Sequence, residues 1–441
     1  MLKIYDVETA QKTILKRVPL NTMEFPPAVL AATEERFGAG VTPAQAVSEI
    51  VTSIRLEGDQ ALRRWTLKLD GAQLDDLKIT PSQMALAYEN LPPKLKEAMT
   101  VSAERIRAFH KLQPQPNWNS GDLGGLLGQR VTPINTVGVY VPGGTAPLPS
   151  SLLMAVIPAQ VAGVRDIIVC TPPDPAPSIL AAAHLCGIEE VYQAGGAQAI
   201  AAMAFGTESI PKVDKIVGAG NLFVTLAKQQ LYGFVGLDGL AGPTETMIIA
   251  DESARPDWVA ADLLAQAEHD VLASAILLTP SPGLASAVQA RVARQMEDLP
   301  RAGIIAQSLA QRSGIVITAD LNTAAALANE YAAEHLCLAI RDPWSLAEQI
   351  NNAGGLFLGE RSFEVLGDYI AGPSHVMPTG GTARFASPLN VLDFVKITSL
   401  IALDDKTSRQ LIPQAAEFAR AEQLAAHAAA AEARLAGGQD V

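Results

Sequence analysis

The chain has 441 residues, 49% of them apolar, and a formal net charge of −13. This length and apolar content allow two or three buried cores and exclude a disordered chain. The acidic balance disfavours nucleic acid as a partner, because a nucleic-acid-binding face usually carries a basic stripe and the sequence shows none.

Cysteine usage and apolar runs indicate the compartment. Cys170, Cys186 and Cys337 lie far apart and form no C-x-x-C pair, which favours neither a disulfide framework nor a thiolate zinc site. The N-terminus carries charges where a secretory signal needs an apolar segment, and the apolar stretch 152–164 is too short to span a bilayer. We therefore expect a cytoplasmic protein with no membrane partner.

The predicted secondary structure is helical at first and then alternates. Residues 25–124 have apolar residues at three- and four-residue spacing, and Thr42 followed by Pro43 predicts a helix start. Short β-rich runs then alternate with helical segments in two series. The predicted strands are 136–144, 165–173, 190–196 and 214–221 in the first series, and 245–251, 273–280, 314–320 and 337–342 in the second.

These patterns predict an α/β fold with two Rossmann-like parallel-sheet domains, each incomplete, which could be related by duplication. A small N-terminal arm precedes them and a helical C-terminal tail follows. Residues 414–435 predict one Ala/Glu/Arg helix that is too isolated to fold without a partner surface, so a sister subunit is a natural candidate. The predicted domain boundaries are 1–24 for the arm, 25–137 with 245–383 for the first α/β domain, 138–244 for the second, and 384–441 for the tail.

Two pairs of polar residues could carry chemistry. Gln266 and His269 lie three apart on a predicted helix, so both side chains can reach one metal ion or ligand, although a plain polar helix face also explains them. Glu334 and His335 end a predicted helix, where their side chains should diverge, so one can act as a base toward substrate while the other activates water. The alternative is a solvated helix C-terminus with His near the dipole.

A third candidate is the segment GDYIAGPSHVMPTGGTARF, residues 367–385. Asp368, His375 and Arg384 stand here among glycines and prolines, in backbone that we predict to be irregular. Ordered irregular loops of this density usually build a site. Asp368 is therefore a candidate hard-oxygen metal ligand.

The sequence offers glycine turns but no ordinary dinucleotide motif, because no G-x-G-x-x-G fingerprint follows a strand. The turns in 140–151, 194–206 and 217–221 could each offer backbone N–H groups to a phosphate. Gly195 and Gly196 are the best placed, before a helix predicted from Gln198, although tight βα turns need glycine in any case.

Glu422 and His427 in the tail are five residues apart, which is about 140° around a straight helix. They cannot share one pocket face on that geometry. Either the helix is broken, or the two side chains contact different groups, or one of them is a surface residue.

Eight collinear segments, from about residue 40 to the tail, together resemble the histidinol dehydrogenase family. Each motif alone is ambiguous, whereas the combination is specific. The segments are IRLEGDQALRRWTLKLDG, FHKLQ, GVYVPGGTAPLPSSLLMAVIPAQVAGV, AGGAQAIAAMAFGTESIPKVDKIVGAGN, AGPTETMIIAD, DLLAQAEHD, AAEHLCL and GDYIAGPSHVMPTGGTAR.

The resemblance implies a zinc- and NAD-dependent enzyme that oxidises L-histidinol, through bound L-histidinal, to L-histidine with two NAD, the last steps of histidine biosynthesis. It also implies an intertwined homodimer with shared active sites, in which the first α/β domain holds the metal and the second binds NAD. Nitrogen and oxygen ligands with substrate completing the shell fit one catalytic zinc per subunit, although manganese or cobalt would also be accepted.

The resemblance further implies the roles of individual residues. His335 removes the alcohol proton and Glu334 activates water. The implied zinc ligands are Gln266, His269, Asp368 and, from the other subunit, His427. The implied NAD contacts are Tyr140, Gln198 and Asn221. The implied substrate-binding residues are Thr244, Gln266, His269, His335, Asp368, His375, Glu422 and His427.

Three positions depart from the family pattern. Thr244 stands where Ser is expected, Ser374 where Asn is expected, and Ala219 where Pro is expected. None of these changes removes a proposed ligand or base, so they bear on the fit of the substrate.

Two other functions are open. A paralogue could oxidise another small polar alcohol, but Glu422, His375 and His427 are retained at positions that should contact the histidinol headgroup. A non-catalytic zinc-stabilised dimer or ligand-binding protein is the second alternative. Glu334 and His335 argue against it, because a binding protein needs neither.

Overall fold

The computed structural model describes residues 2–17, 25–143 and 147–436. Over these ranges, no helix combines the length and apolar character needed to cross a membrane. The chain divides into two compact units, residues 1–113 with 134–394 and residues 114–133 with 395–441. The boundaries proposed above for the two α/β domains stay predictions.

The strands in chain order are β1 (Ile4–Asp6), β2 (Lys78–Ile79), β3 (Trp118–Ser120), β4 (Leu126–Pro133), β5 (Thr136–Tyr140), β6 (Asp166–Thr171), β7 (Glu190–Gln193), β8 (Lys215–Val217), β9 (Gly236–Leu237), β10 (Glu245–Ala250), β11 (Ser274–Thr279), β12 (Gly314–Ile317), β13 (His335–Ala339), β14 (Gly355–Leu358) and β15 (Val395–Ala402).

The helices are α1 (Val7–Lys12), α2 (Pro27–Phe37), α3 (Pro43–Glu57), α4 (Asp59–Asp70), α5 (Pro81–Glu89), α6 (Pro93–Lys111), α7 (Pro149–Ala162), α8 (Pro177–Leu185), α9 (Gly196–Phe205), α10 (Leu222–Leu231), α11 (Pro256–Ala267), α12 (Pro282–Met296), α13 (Ala302–Gln311), α14 (Leu321–Tyr331), α15 (Pro343–Ala347), α16 (Glu364–Tyr369), α17 (Asp405–Ala421) and α18 (Ala425–Ala436), with short 3-10 helices at Thr382–Arg384 and Val391–Phe394.

The first unit contains two six-stranded sheets. One, which we call the β5 sheet, has the order β2-β7-β6-β5-β8-β9, and the other, the β10 sheet, has the order β1-β12-β11-β10-β13-β14. All pairings are parallel except that of β2 with β7. The predicted α/β fold with two parallel sheets is therefore confirmed, and the eight predicted strands are the four central strands of each sheet.

The sequence explains the central strands and several helix ends. All six residues of β10 and all six of β11 are buried, as expected for strands covered by helices on both faces. The predicted helix start at Thr42 is confirmed: its hydroxyl accepts from the backbone N–H of Gln45, whose side chain accepts from the N–H of Thr42. Apolar residues cover both faces of the β10 sheet.

The second unit contains an antiparallel sheet in the order β15-β4-β3, followed by α17 and α18. The helical tail is confirmed, but the prediction of one helix over residues 414–435 is wrong. The chain turns between α17 and α18, where Glu422 ends the first helix and Gln423 has a φ of 62°. Of the alternatives considered for Glu422 and His427, the broken helix is the one found.

Candidate active site

A cavity of about 650 Å³ opens in the first unit. Its lining includes six of the polar residues singled out in the sequence: Thr244, His269, Glu334, His335, Asp368 and His375. The backbone therefore brings together, from four separate stretches of the chain, groups that can bind cations and transfer protons.

The amino ends of two neighbouring strands position the central pair. Thr244 directly precedes β10 and Glu334 directly precedes β13, whose first residue is His335, in register with Thr246 of β10. The prediction that Glu334 and His335 end a helix is wrong, because α14 ends at Tyr331. Their predicted divergence is also wrong: Glu334 Oε2 lies 3.8 Å from His335 Nδ1.

Glu334 is a buried carboxyl group held by two donors. The hydroxyl of Thr244 donates to Oε2 at 2.6 Å and the backbone N–H of Glu245 donates to the same oxygen at 3.0 Å. Burial raises the pKa of Glu334 to about 7, against the lowering effect of His335 and of these donors. A carboxyl group with this pKa can exchange a proton near neutral pH. The Thr244 departure from the family pattern keeps the hydroxyl that makes this bond.

His335 is oriented from both sides of its ring. Nδ1 lies 3.2 Å from the carbonyl oxygen of Glu245, to which it donates, and Nε2 lies 3.2 Å from Asp368 Oδ1. Burial disfavours charge on this ring, but the carboxylates of Glu364, Glu334 and Asp368 outweigh that effect and raise its pKa well above the ordinary value.

Asp368 connects His335 to the loop that carries His375. The carbonyl oxygen of Asp368 accepts from His375 Nδ1 at 2.7 Å, and His375 Nε2 lies 3.2 Å from the hydroxyl of Ser151. Asp368 lies on the short helix α16 and Arg384 on a short 3-10 helix, so the prediction of irregular backbone is wrong at both. It holds for the residues between the two helices, which include His375. Arg384 is exposed and donates to the carbonyl of Gly381 at 3.2 Å.

Of the two other departures, Ala219 is at the cavity, whereas Ser374 is buried next to His375 and outside the lining. The buried hydroxyl of Ser374 donates to the carbonyl of Met154 at 3.0 Å and accepts from the N–H of Val376 at 3.2 Å. Ala219 lines the cavity directly.

A group of possible metal ligands lies at Asp368. Within the described ranges, His335, Glu364 and Asp368 offer ligand atoms that all lie within 4.8 Å of one another. Glu364 was not predicted from the sequence. Its position four residues before Asp368, on the same helix face, is the signal that could have identified it.

The residues implied as metal ligands are distributed over both units. Gln266 lies near the end of α11, while His269 lies beyond the last residue of that helix and faces the cavity. Desolvation lowers the pKa of His269, and the nearby carboxylate of Asp368 partly opposes this lowering. His427 is exposed on α18 of the second unit, and Glu422 is exposed at the end of α17. The implied ligand set stays a prediction.

The buried amide of Gln266 shows how the donor set fits a metal. Gln266 is fully buried, and neither Oε1 nor Nε2 has a hydrogen-bond partner among the described residues. A buried amide without partners costs about 1–3 kcal/mol, so a bound group that satisfies it would stabilise the site. Nitrogen and oxygen donors from Gln266, His269 and Asp368 fit a catalytic zinc site.

The implied NAD contacts lie at the carboxyl ends of strands in the β5 sheet. Tyr140 ends β5, and its buried hydroxyl accepts from the N–H of Gly196 at 3.0 Å; burial raises its pKa to about 12. Gln198 Nε2 donates to Asp70 at 3.0 Å, while Gln198 Oε1 is buried without a hydrogen-bond partner among the described residues. Gln198 Oε1 is therefore a buried acceptor that none of the described residues satisfies.

Asn221 lies beyond β8 and caps α10, since its Oδ1 accepts from the N–H groups of Phe223 and Val224. Of the other glycine turns considered above, the one after β5 includes residues 144–146, which lie outside the described residues.

The fold and the site together define an α/β enzyme in which one sheet carries buried acid–base groups and the other carries glycine turns. The family model of histidinol dehydrogenase matches residues 39–435. The chain therefore belongs to the histidinol dehydrogenase family, and it is an oxidoreductase.

Similar proteins agree over nearly the whole chain. A histidinol dehydrogenase from Deinococcus radiodurans is 51% identical over 416 residues, which are 93% of this chain and 95% of the relative. One from Thermus thermophilus is 50% identical and covers 89% of this chain and 95% of its own. The crystal structure of histidinol dehydrogenase from Elizabethkingia anophelis has a TM-score of 0.90 at 36% identity and covers 100% of this chain and 99% of that chain.

Proposed function

We propose that the chain oxidises L-histidinol to L-histidine in two successive NAD-dependent steps, with L-histidinal held between them, as the last steps of histidine biosynthesis. The observation that carries this proposal is the buried pair of Glu334 and His335, in contact with each other at the wall of the cavity. A family that oxidises an alcohol needs a group to take the hydroxyl proton, and the second oxidation needs water.

The cavity offers suitable contacts for a ligand with imidazole, amino and hydroxyl groups. Thr244, His269, Asp368 and His375 line it. Gln266 is fully buried and outside this lining, and its amide is unsatisfied among the described residues. We propose that Gln266, His269 and Asp368 hold a zinc ion, with His427 of a second copy as the fourth ligand. When bound, zinc supplies a Lewis acid that orients the imidazole and amino groups of the substrate.

His335 takes the proton of the substrate hydroxyl in the first oxidation. Its Nδ1 donates to the carbonyl of Glu245, so Nε2 is the atom that exchanges protons. Nε2 donates to Asp368 while the ring is protonated, and it accepts the hydroxyl proton in the deprotonated ring. This arrangement fixes which ring nitrogen reacts. When bound, NAD accepts the hydride that leaves the carbinol carbon in each of the two oxidations.

Glu334 takes a proton from water in the second oxidation. The water oxygen adds to the aldehyde carbon while the aldehyde oxygen takes the proton that His335 gained in the first oxidation, which gives the hydrate. His335 then takes a hydroxyl proton of the hydrate as the hydride leaves to NAD, and the carboxylic acid that forms loses its proton to give the carboxylate. The pKa of about 7 keeps a large share of Glu334 deprotonated at neutral pH, as a base requires. Retention of the aldehyde in the cavity protects it from side reactions.

The proposal includes a homodimer, which the second unit supports. Several apolar side chains on this unit are exposed, among them Leu123 at 70%, Ile401 at 75% and Phe418 at 75%. Exposed apolar surface of this kind marks protein–protein contacts. Glu422 and His427, also exposed on this unit, are available to a second copy.

The shared site can be tested with mixed dimers. His427→Asn and His269→Asn each remove one proposed ligand, so each variant alone should be inactive. Subunit exchange between them should restore part of the activity, because each mixed dimer contains one intact site and one site that lacks both ligands. No recovery after verified exchange would refute the shared site.

The activity is tested by adding L-histidinol to the purified protein and counting NADH per histidinol consumed. We expect about two NADH, loss of turnover on chelation and recovery with zinc. One NADH with released aldehyde would contradict the role of Glu334 in water activation. No turnover of L-histidinol, with turnover of another small polar alcohol, would favour the paralogue.

A further inference from the structure

Arg17 is the last described residue of the N-terminal segment, and its side chain contacts Glu245, Tyr331 and Ala332. Its guanidinium forms a bidentate pair with Glu245, with Nη1 on Oε1 and Nη2 on Oε2 at 2.8 Å. The side chains are largely buried, 19% exposed for Arg17 and 8% for Glu245. Planar two-point recognition of a carboxylate is a property of arginine that lysine lacks.

The same guanidinium also donates hydrogen bonds to the end of α14. Nε donates to the carbonyl of Tyr331 at 2.8 Å, and Nη2 donates to the carbonyls of Tyr331 at 2.6 Å and Ala332 at 3.3 Å. The guanidinium carbon lies 3.5 Å from the centre of the Tyr331 ring, in a stacked cation–π contact. Arg17 therefore satisfies carbonyl groups that the helix end leaves without partners.

The two groups that Arg17 contacts, the Tyr331–Ala332 turn and Glu245, both hold Glu334 and His335 in position. Ala332 has a left-handed backbone, with φ of 52° and ψ of 62°, and this turn separates the helix from Glu334 and His335. An alanine in this conformation is strained by about 1–2 kcal/mol and needs contacts that hold it. The donation of Arg17 to the carbonyls of Tyr331 and Ala332 provides them.

Glu245 is the other support. Its backbone N–H donates to Glu334 Oε2, and its carbonyl accepts from His335 Nδ1. The carboxylate of Glu245 in turn pairs with the guanidinium of Arg17. One guanidinium thus joins the start of β10 to the turn before β13, while Arg17 itself does not line the cavity.

We infer that Arg17 is a positioning residue for the oxidation. Its guanidinium links Glu245 to the Tyr331–Ala332 turn and so fixes the positions of Glu334 and His335. The inference rests on the proposed function for its kinetic readout. It predicts that the N-terminal arm, which contributes the edge strand β1 to the β10 sheet, also sets the turnover rate.

The test compares Arg17→Met with Lys12→Met, which removes an equal charge from an exposed lysine on the same arm, where only Glu8 pairs with it among the described residues. We expect Arg17→Met to lower kcat with L-histidinol about tenfold to a hundredfold, because displacements of about 1 Å in a reacting group have effects of this size. KM for L-histidinol and for NAD should change less than twofold. Lys12→Met should leave all three constants unchanged.

A merely structural role would give a different pattern. It would lower the fraction of folded enzyme and the midpoint of thermal unfolding, while kcat per folded molecule stays within twofold of the unmodified chain; that result would overturn the inference. So would a rise in KM with kcat unchanged. If Arg17→Met does not fold, Arg17→Lys serves instead: it keeps the charge but not the planar fork, and kcat should fall at least threefold.

A second readout does not depend on the reaction. The imidazole ¹⁵N resonances of His335, assigned by their loss in His335→Asn, report the hydrogen bond from Nδ1 to Glu245. They should shift in Arg17→Met and not in Lys12→Met. If the unmodified chain fails to oxidise L-histidinol, the proposed function is wrong, and an unchanged ¹⁵N signal in Arg17→Met would then refute the role of Arg17 separately.

Discussion

The two parallel sheets have the same strand order but place their candidate functional groups at opposite ends of the strands. In the β5 sheet, Tyr140 and the glycine turn at Gly196 follow the carboxyl ends of strands. This is where open α/β sheets usually bind ligands. In the β10 sheet, Glu334 and His335 lie at the amino end of β13, beside the start of β10. The same strand order therefore does not determine which end of the strands carries the candidate functional groups.

The candidate groups of the two sheets also differ in charge. At the β10 sheet, burial raises the pKa of Glu334 to about 7 and, with the neighbouring Asp368, raises that of Glu364 to about 7. At the β5 sheet the candidate contacts are a buried phenol, amides and glycine N–H groups. Changes at the β10 sheet should therefore alter kcat, while changes at the β5 sheet should alter KM for NAD.

The largest effect should come from His335→Asn. The amide retains a hydrogen-bonding group beside Glu245 but cannot take the hydroxyl proton, so kcat should fall about 10²- to 10⁴-fold. KM for NAD should stay within a factor of two in steady-state assays. A variant that keeps kcat but binds NAD poorly would break the division of roles between the sheets.

The pH dependence of aldehyde oxidation tests Glu334. Only the deprotonated carboxylate can take a proton from water, and burial places its pKa at about 7. With L-histidinal as substrate, the rate should therefore fall about tenfold per pH unit as the pH drops below this value, and level off above it. Glu334→Gln keeps a hydrogen-bond acceptor for Thr244 and should lose this limb along with most of the activity. A profile that is flat between pH 5 and 8 would refute the assignment.

The sequence predicted the central strands well because each is a continuous β-rich run between turn residues. It did not predict the edge strands β1, β2, β9 and β14, which are two to four residues long and too short to show a period. Position in the sheet, rather than local preference, makes these residues strands.

Two errors about where helices end have a common physical cause. The helix ends before Glu334 and after Glu422 both depend on residues with positive φ, Ala332 and Gln423. Glycine would have signalled each stop, but alanine and glutamine favour helix and gave none. Residue types at the site were predictable, whereas the contact between Glu334 and His335 required the turn at Ala332.

A smaller effect is expected from Gly196→Ala in the β5 sheet. Gly196 has a φ of 55°, and a Cβ there would lie 2.9 Å from the unsatisfied Oε1 of Gln198, a residue that the family resemblance implies as an NAD contact. KM for NAD should rise about tenfold while kcat at saturating NAD is retained. Gly187→Ala is the matched control, since Gly187 has a φ of 66° with open space around its Cβ position. An equal rise in KM in both variants would assign the effect to backbone strain alone.

The smallest effect concerns Asn221, where capping and NAD binding can be separated. Asn221→Ala removes the acceptor for two N–H groups of α10 and should lower the free energy of unfolding by about 1 kcal/mol. Asn221→Asp keeps the cap, so its stability in denaturant unfolding should match that of the unmodified chain. If Asn221 also contacts NAD, both variants should raise KM for NAD a few-fold, and aspartate should do so more strongly because its charge repels the pyrophosphate. If only Asn221→Ala raises KM, the residue acts by holding the helix terminus, and the β5 sheet then contributes to NAD binding there through its backbone rather than through this side chain.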